Sequence, residues 1–164
     1  MLLLQARETV MRLFRPQLKR HGLTEQQWRV LRALDDRDDL EIGRIAEVCS
    51  ILGPSLTGVL DRMERDGLVV RSRSDTDQRR VSVRLTQASR NLIEALSTEV
   101  EAHYAHIEHA LGRDALAQLY TLLDAVTALP RPDAPAMRLR RPPDAVADPR
   151  KPIRPVRKRS PRSA

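Results

Sequence analysis

Aromatic residues are scarce in this chain of 164 residues: one Trp, one Phe and two Tyr. An aromatic-built core is therefore excluded, and the interior must come from Leu, Val, Ile and Ala. There is one cysteine, Cys49, so no intrachain disulfide can form, and a reducing cytoplasm is the expected location. No apolar run is long enough for a membrane span, and the opening MLLLQARETV turns charged too soon for a secretory h-region. Only six glycines occur, without a phosphate-cradling loop, and neither a nucleophile elbow nor a paired-carboxylate arrangement is present. No catalytic residue, metal ligand or cofactor site is therefore assigned.

Positive charge is abundant but unevenly placed. Residues 131–164 hold 11 Lys/Arg against 3 Asp, a net of +8, and 8 of the 11 prolines. Residues 1–130 hold 18 Lys/Arg against 19 Asp/Glu, a net of −1. The basic excess thus belongs to a tail, expected to be disordered, that either solubilises the protein or grips polyanions weakly.

The remainder reads as helices with one interruption. Leu3, Ala6, Val10, Leu13, Phe14 and Leu18 give residues 2–20 a helical rhythm, with Pro16 predicting a kink or early end. Thr24 and Gln27 form a capping box for a helix carrying Trp28, Leu31 and Leu34. A helix over 41–48 follows, then the link Cys49-Ser50-Ile51-Leu52. Gly53 is read as N-cap and Pro54 as first residue of a helix over 54–66. Leu56, Val59, Leu60 and Met63 make its buried stripe, leaving Ser55, Thr57, Gly58, Arg62 and Arg65 outward. The interruption is RSRSDTDQRRVSVRLT, where alternating Val, Leu and Arg predict a two-stranded hairpin. Thr86 caps a long helix, Gly112 ends it, and a last helix over 114–128 precedes Pro130.

Two short helices with a tight link and then a hairpin specify a mainly α fold, a winged helix-turn-helix with flanking helices. The second helix of such a unit lies in the DNA major groove. Ser55, Thr57 and Gly58 permit close approach, while Arg62 and Arg65 reach phosphates or base edges. Arg79 is placed at a wing tip entering the minor groove, Asp77 orients it, and Arg73, Arg80 and Arg84 are phosphate contacts.

The run LEIGRIAEVCSILGPSLTGVLDRMERDGLVVRSRSDTDQRRVSVRLT resembles the MarR family of bacterial transcription regulators. The preceding LFRPQLKRHGLTEQQWRVLRAL is similar to its branch regulating homoprotocatechuate (4-hydroxyphenylacetate) degradation, with a nicotinate-catabolism branch close by. The resemblance spans about residues 2–128. It implies a homodimer that binds a near-palindromic double-stranded DNA operator as a repressor and is relieved by a small aromatic acid. On this reading residues 1–23 and 86–129 are dimerisation helices, 24–85 the DNA-binding lobe and 130–164 the tail. Two departures stand out: Gly53 where Ser is the more usual cap, and the basic tail. Pairing also follows from the apolar surface of the flanking helices, and would set two recognition helices about 34–36 Å apart.

An aromatic acid needs an apolar wall and a donor for its carboxylate. Trp28 supplies the wall and Arg15 and Arg32 the cations, with His21, Cys49 and Ser50 as helpers. A core role for Trp28 and ion pairs for the arginines is the plainer alternative. The regulator could instead answer to a hydroxynicotinate-type pyridine acid. His103, His106 and His109, with Glu101 and Glu108, raise a metal-sensing reading, and Cys49 a redox one. The tail raises a third alternative, a non-specific architectural binder.

Overall fold

The computed structural model describes residues 1–37, 39–73 and 81–130. The sequence folds as α1 (Leu2–Arg20), α2 (Glu25–Asp35), β1 (Leu40–Glu41), α3 (Ile42–Cys49), α4 (Gly53–Arg65), β2 (Val69–Arg73), β3 (Val81–Leu85), α5 (Gln87–Leu111) and α6 (Arg113–Thr127). The winged helix-turn-helix expected from the sequence is present: α2, α3 and α4 pack on an antiparallel sheet.

Local signals account for most boundaries. Thr24 Oγ1 accepts from the Gln27 amide at 3.2 Å, and Gln27 Oε1 accepts from the Thr24 amide at 2.9 Å, closing the capping box of α2. Thr86 caps α5 by accepting from the Ser89 amide, and its hydroxyl also donates to the Gly67 carbonyl at 2.7 Å. Gly112 separates α5 from α6 at φ 83° and ψ 148°, a region essentially restricted to glycine.

Three expectations are corrected. The sheet has three strands in the order β1-β3-β2, because Leu40 and Glu41 pair with Val83 and Ser82. Leu52, not Gly53, is the N-cap of α4; Gly53 is already helical and no side chain caps the end. Cys49 closes α3, leaving only residues 50–52 as the link. Of the two outcomes expected of Pro16, the early end does not occur: α1 continues to Arg20 and buries Phe14, Gln17 and Leu18 on both sides of it. That burial offsets the hydrogen bond the proline cannot make.

The core runs from α1 through the lobe to α5. Leu31, Ile45, Leu56, Leu60, Met63, Val83 and Leu96 are all fully buried. Gln17, also buried, donates to the Leu96 carbonyl at 3.1 Å and joins α1 to α5. Ser89 donates to the Leu68 carbonyl, fixing the hairpin base on α5. The margins differ sharply. No residue of α6 is buried, and Leu119, Leu122 and Val126 stand exposed. Leu2, Leu3 and Leu4 at the start of α1 are exposed as well.

Candidate functional site

Two regions are candidates for function. The first is the outer face of α4. Its stripe Leu56, Val59, Leu60 and Met63 is buried, so the helix cannot rotate and the opposite face is fixed outward. Ser55, Thr57, Arg62 and Arg65 are exposed there, and Gly58 is half-buried. Thr57 Oγ1 donates back to the Gly53 carbonyl at 3.2 Å, one turn earlier in the helix. Arg62 lies over Gly58: a Cβ added there would sit 3.6 Å from Arg62 Nη1. Arg65 Nε pairs with Asp66 Oδ1 at 3.1 Å. No side chain among the described residues caps the start of α4.

The hairpin stands beside this face. Arg73 ends β2 exposed, and Arg84, paired in register with Val70, is exposed on β3. Ser72 and Ser82 exchange a hydroxyl contact at 2.9 Å across the strands. Asp77, Arg79 and Arg80 lie outside the described residues. Arg71 has a different part: Nη2 donates to Asp61 Oδ1 at 2.6 Å, and Nε stands 3.6 Å from Glu64 Oε2.

The second region is a cavity of about 310 Å³ between α1, α2, the end of α3 and α5. Its apolar wall is Val10, Met11, Phe14, Trp28, Ala33 and Val48. Phe14 meets Tyr104 at a centroid distance of 5.4 Å, which fixes the far wall. Burial pushes the Tyr104 phenol up from 10.0, partly countered by the nearby Arg32 charge, so its hydroxyl is a standing donor. Three guanidiniums line the cavity, Arg7, Arg29 and Arg32, against one carboxylate, Glu25. The balance favours an anion of modest size with a flat apolar body.

Of the candidates from the sequence, Trp28, Arg32 and Cys49 line this cavity, while Arg15, His21 and Ser50 do not. Arg15 is held by Glu8 at 2.6 Å and Glu25 at 2.5 Å. His21 is the exposed C-cap of α1, and Ser50 is the exposed C-cap of α3. Burial would raise the Glu25 carboxyl, but hydrogen bonds from Arg15 and Arg7 outweigh it and hold the group below 4.5. Arg7, Phe14, Glu25, Arg29 and Tyr104 escaped the sequence reading. Arg7, Met11 and Phe14 do recur at helical spacing on α1, a signal that could have found them.

The alternatives find less support. No group of three or more His, Cys, Asp or Glu among the described residues is placed to hold a metal ion. His103 instead packs edge-on against Phe14 at 5.0 Å. Cys49 is buried, and burial pushes its thiol from 9.0 up to about 11, opposed only in part by Arg29. A neutral, buried thiol is a poor oxidant sensor. Among the described residues no helix is long and apolar enough to cross a membrane.

Comparison with known proteins agrees with this fold. The MarR family model matches residues 23–81. The chain is 45% identical over 127 residues to the homoprotocatechuate degradative operon repressor of Escherichia coli, covering 77% of this chain and 86% of that one. Among solved structures it is similar to NadR in complex with 4-hydroxyphenylacetate, at 42% identity and TM-score 0.71, covering 78% of this chain and 91% of that one. It is also similar to the repressor CouR bound to a 23-mer DNA duplex, at 30% identity and TM-score 0.70, covering 76% and 89%.

Proposed function

The chain belongs to the MarR family of transcription regulators, and on that premise we propose that it is a cytoplasmic, dimeric repressor of an aromatic-acid catabolic operon, released by a hydroxyphenylacetate- or homoprotocatechuate-type carboxylate. The observation that carries the effector class is the cavity in which Trp28, Arg32 and Tyr104 meet. Trp28 offers a flat wall, Arg29 and Arg32 the cations and Tyr104 a hydroxyl donor. A ring bearing a short carboxylate arm and a phenolic oxygen matches those groups, and NadR supplies a relative that holds such a molecule.

DNA recognition is assigned to α4 and the wing. Ser55, Thr57 and Gly58 form the close-approach turn, and Arg62 and Arg65 extend it along the groove. Arg73, Arg80 and Arg84 hold phosphates, with Asp77 and Arg79 at the wing tip. The operator is near-palindromic because two copies read it. The exposed leucines at the start of α1 and the unburied α6 supply the pairing surface. Residues 1–23 and 86–129 form the dimerisation part and 24–85 the reading lobe. Ligand binding shifts the dimer toward a state whose recognition helices no longer match the groove spacing.

Thermal-shift and DNA-release measurements with 4-hydroxyphenylacetate, 3,4-dihydroxyphenylacetate and 6-hydroxynicotinate test this. A ligand at 100 times its Kd stabilises the fold by about 2.7 kcal/mol. Stabilisation and release by the phenylacetates are expected, whereas a response to 6-hydroxynicotinate alone overturns the effector class. The tail, outside the described residues, contributes a modest, salt-sensitive grip. Replacing its arginines by serine should leave operator selectivity intact, and collapse of all binding would favour an architectural protein.

A further inference from the structure

Arg29 stands between the cavity and the helix-turn-helix link. It lines the cavity, and its Nη1 donates to the Cys49 carbonyl at 2.7 Å. That carbonyl belongs to the last residue of α3, and only residues 50–52 separate it from α4. A cation there also suits the negative end of α3. The link itself is tense: Ser50 holds a left-handed backbone at φ 49° and ψ 48°, which non-glycine residues adopt rarely.

The three cavity guanidiniums are not equivalent. Arg7 is taken up by Glu8 and Glu25, and Arg32 pairs with Asp35 at 3.2 Å. Arg29 alone has no carboxylate partner among the described residues. Its Nε is buried and donates to nothing among them. Arg29 is therefore the cavity guanidinium whose charge no carboxylate of the described residues neutralises, and an anion entering the cavity meets that charge.

We infer that Arg29 is the positioning residue that couples cavity occupancy to the recognition helix, by exchanging the Cys49 carbonyl for the carboxylate of the ligand. The inference rests on the proposed function for the ligand's identity, but the tie to Cys49 stands on geometry alone. A guanidinium is rigid and planar, so engaging a carboxylate in the cavity through its Nη atoms reorients the whole fork. Nη1 then leaves the Cys49 carbonyl. The end of α3 loses its cation, and the link at Ser50 can relax and carry α4 with it.

The test uses the full chain with Arg29→Met and Arg29→Lys. Each is assayed for 4-hydroxyphenylacetate affinity, for affinity toward a duplex selected from random sequence by the wild-type chain, and for amide exchange without ligand. In the wild type, ligand should weaken duplex binding by about 5–150-fold, the usual range of coupling between sites. In Arg29→Met that factor should fall below about twofold at saturating ligand, which binds more weakly but is still held by Trp28, Arg32 and Tyr104. Arg29→Lys, which keeps the charge without the fork, should lose most of the factor and guards against a folding defect in Arg29→Met. Exchange at residues 50–56 should be faster in both ligand-free variants. Release equal to wild type, or unchanged exchange at 50–56, overturns the inference. If the wild type ignores 4-hydroxyphenylacetate, the effector class fails, and the exchange result alone decides the role of Arg29.

Discussion

Arg71 Nη2 on β2 donates to Asp61 Oδ1 on α4 at 2.6 Å, so the base of the wing is tied to the recognition helix. On the proposed reading the pair neutralises a carboxylate on the helix that approaches phosphates and ties that helix to the wing. Arg71→Ala should weaken operator binding by about tenfold or more. Stability should change by under about 1 kcal/mol, because Asp61 is 58% exposed. Fluorescence anisotropy with a labelled duplex and thermal denaturation check both parts. Equal DNA affinity would remove the role of this tie.

Gly58 separates stability from function. A Cβ there meets Arg62 Nη1 at 3.6 Å, ordinary contact, so Gly58→Ala fits the fold. Alanine is favoured over glycine inside a helix by roughly 1 kcal/mol. The variant should therefore melt at a higher temperature yet bind operator more weakly, because the methyl intrudes where the backbone approaches DNA. Tighter or unchanged binding would show that α4 does not approach through Gly58.

How legible this protein was in its sequence depended on the range of each contact. The capping box Thr24–Gln27, the Thr86 cap and the α4 stripe are local, and each is where the pattern placed it. Strand β1 is two residues long, too short to show a period, and exists only because β3 offers it an edge. Pro16 breaks a local rule that burial of Phe14, Gln17 and Leu18 overrides. The cavity was half legible. Trp28 and Arg32 share a face of α2, but Arg29 and Tyr104 matter through elements far apart in sequence. For Arg15 the plainer alternative, an ion pair, holds: Glu8, seven residues earlier on α1, and Glu25 on α2 reach it, and the sequence alone does not say which carboxylates those are.

Cys49 provides a pH and oxidant prediction. Its thiol is raised from 9.0 to about 11, so the native state favours the protonated form. Its contribution to stability is complete below pH 9 and is lost as pH rises from about 9 to about 11, when the unfolded chain ionises first. At neutral pH the thiol should resist iodoacetamide, and peroxide should not release DNA. Rapid alkylation of the folded protein, or release by peroxide that Cys49→Ser abolishes, would revive the redox reading.

The uncovered apolar residues predict oligomerisation. Leu119, Leu122 and Val126 are exposed on α6, with Leu122 at 65%. Leu122→Asp should leave the helix-turn-helix core folded while shifting the protein to monomer and lowering operator affinity by orders of magnitude. Light scattering at micromolar concentration gives the answer. A wild-type monomer under those conditions would contradict pairing through this face.

Selection of binding sites from random duplexes, followed by hydroxyl-radical footprinting, tests the central claim most directly. Two inverted half-sites should be protected, centred about 34–36 Å apart, one turn of the double helix. Protection of a single half-site, or no sequence preference among the selected duplexes, would contradict the account.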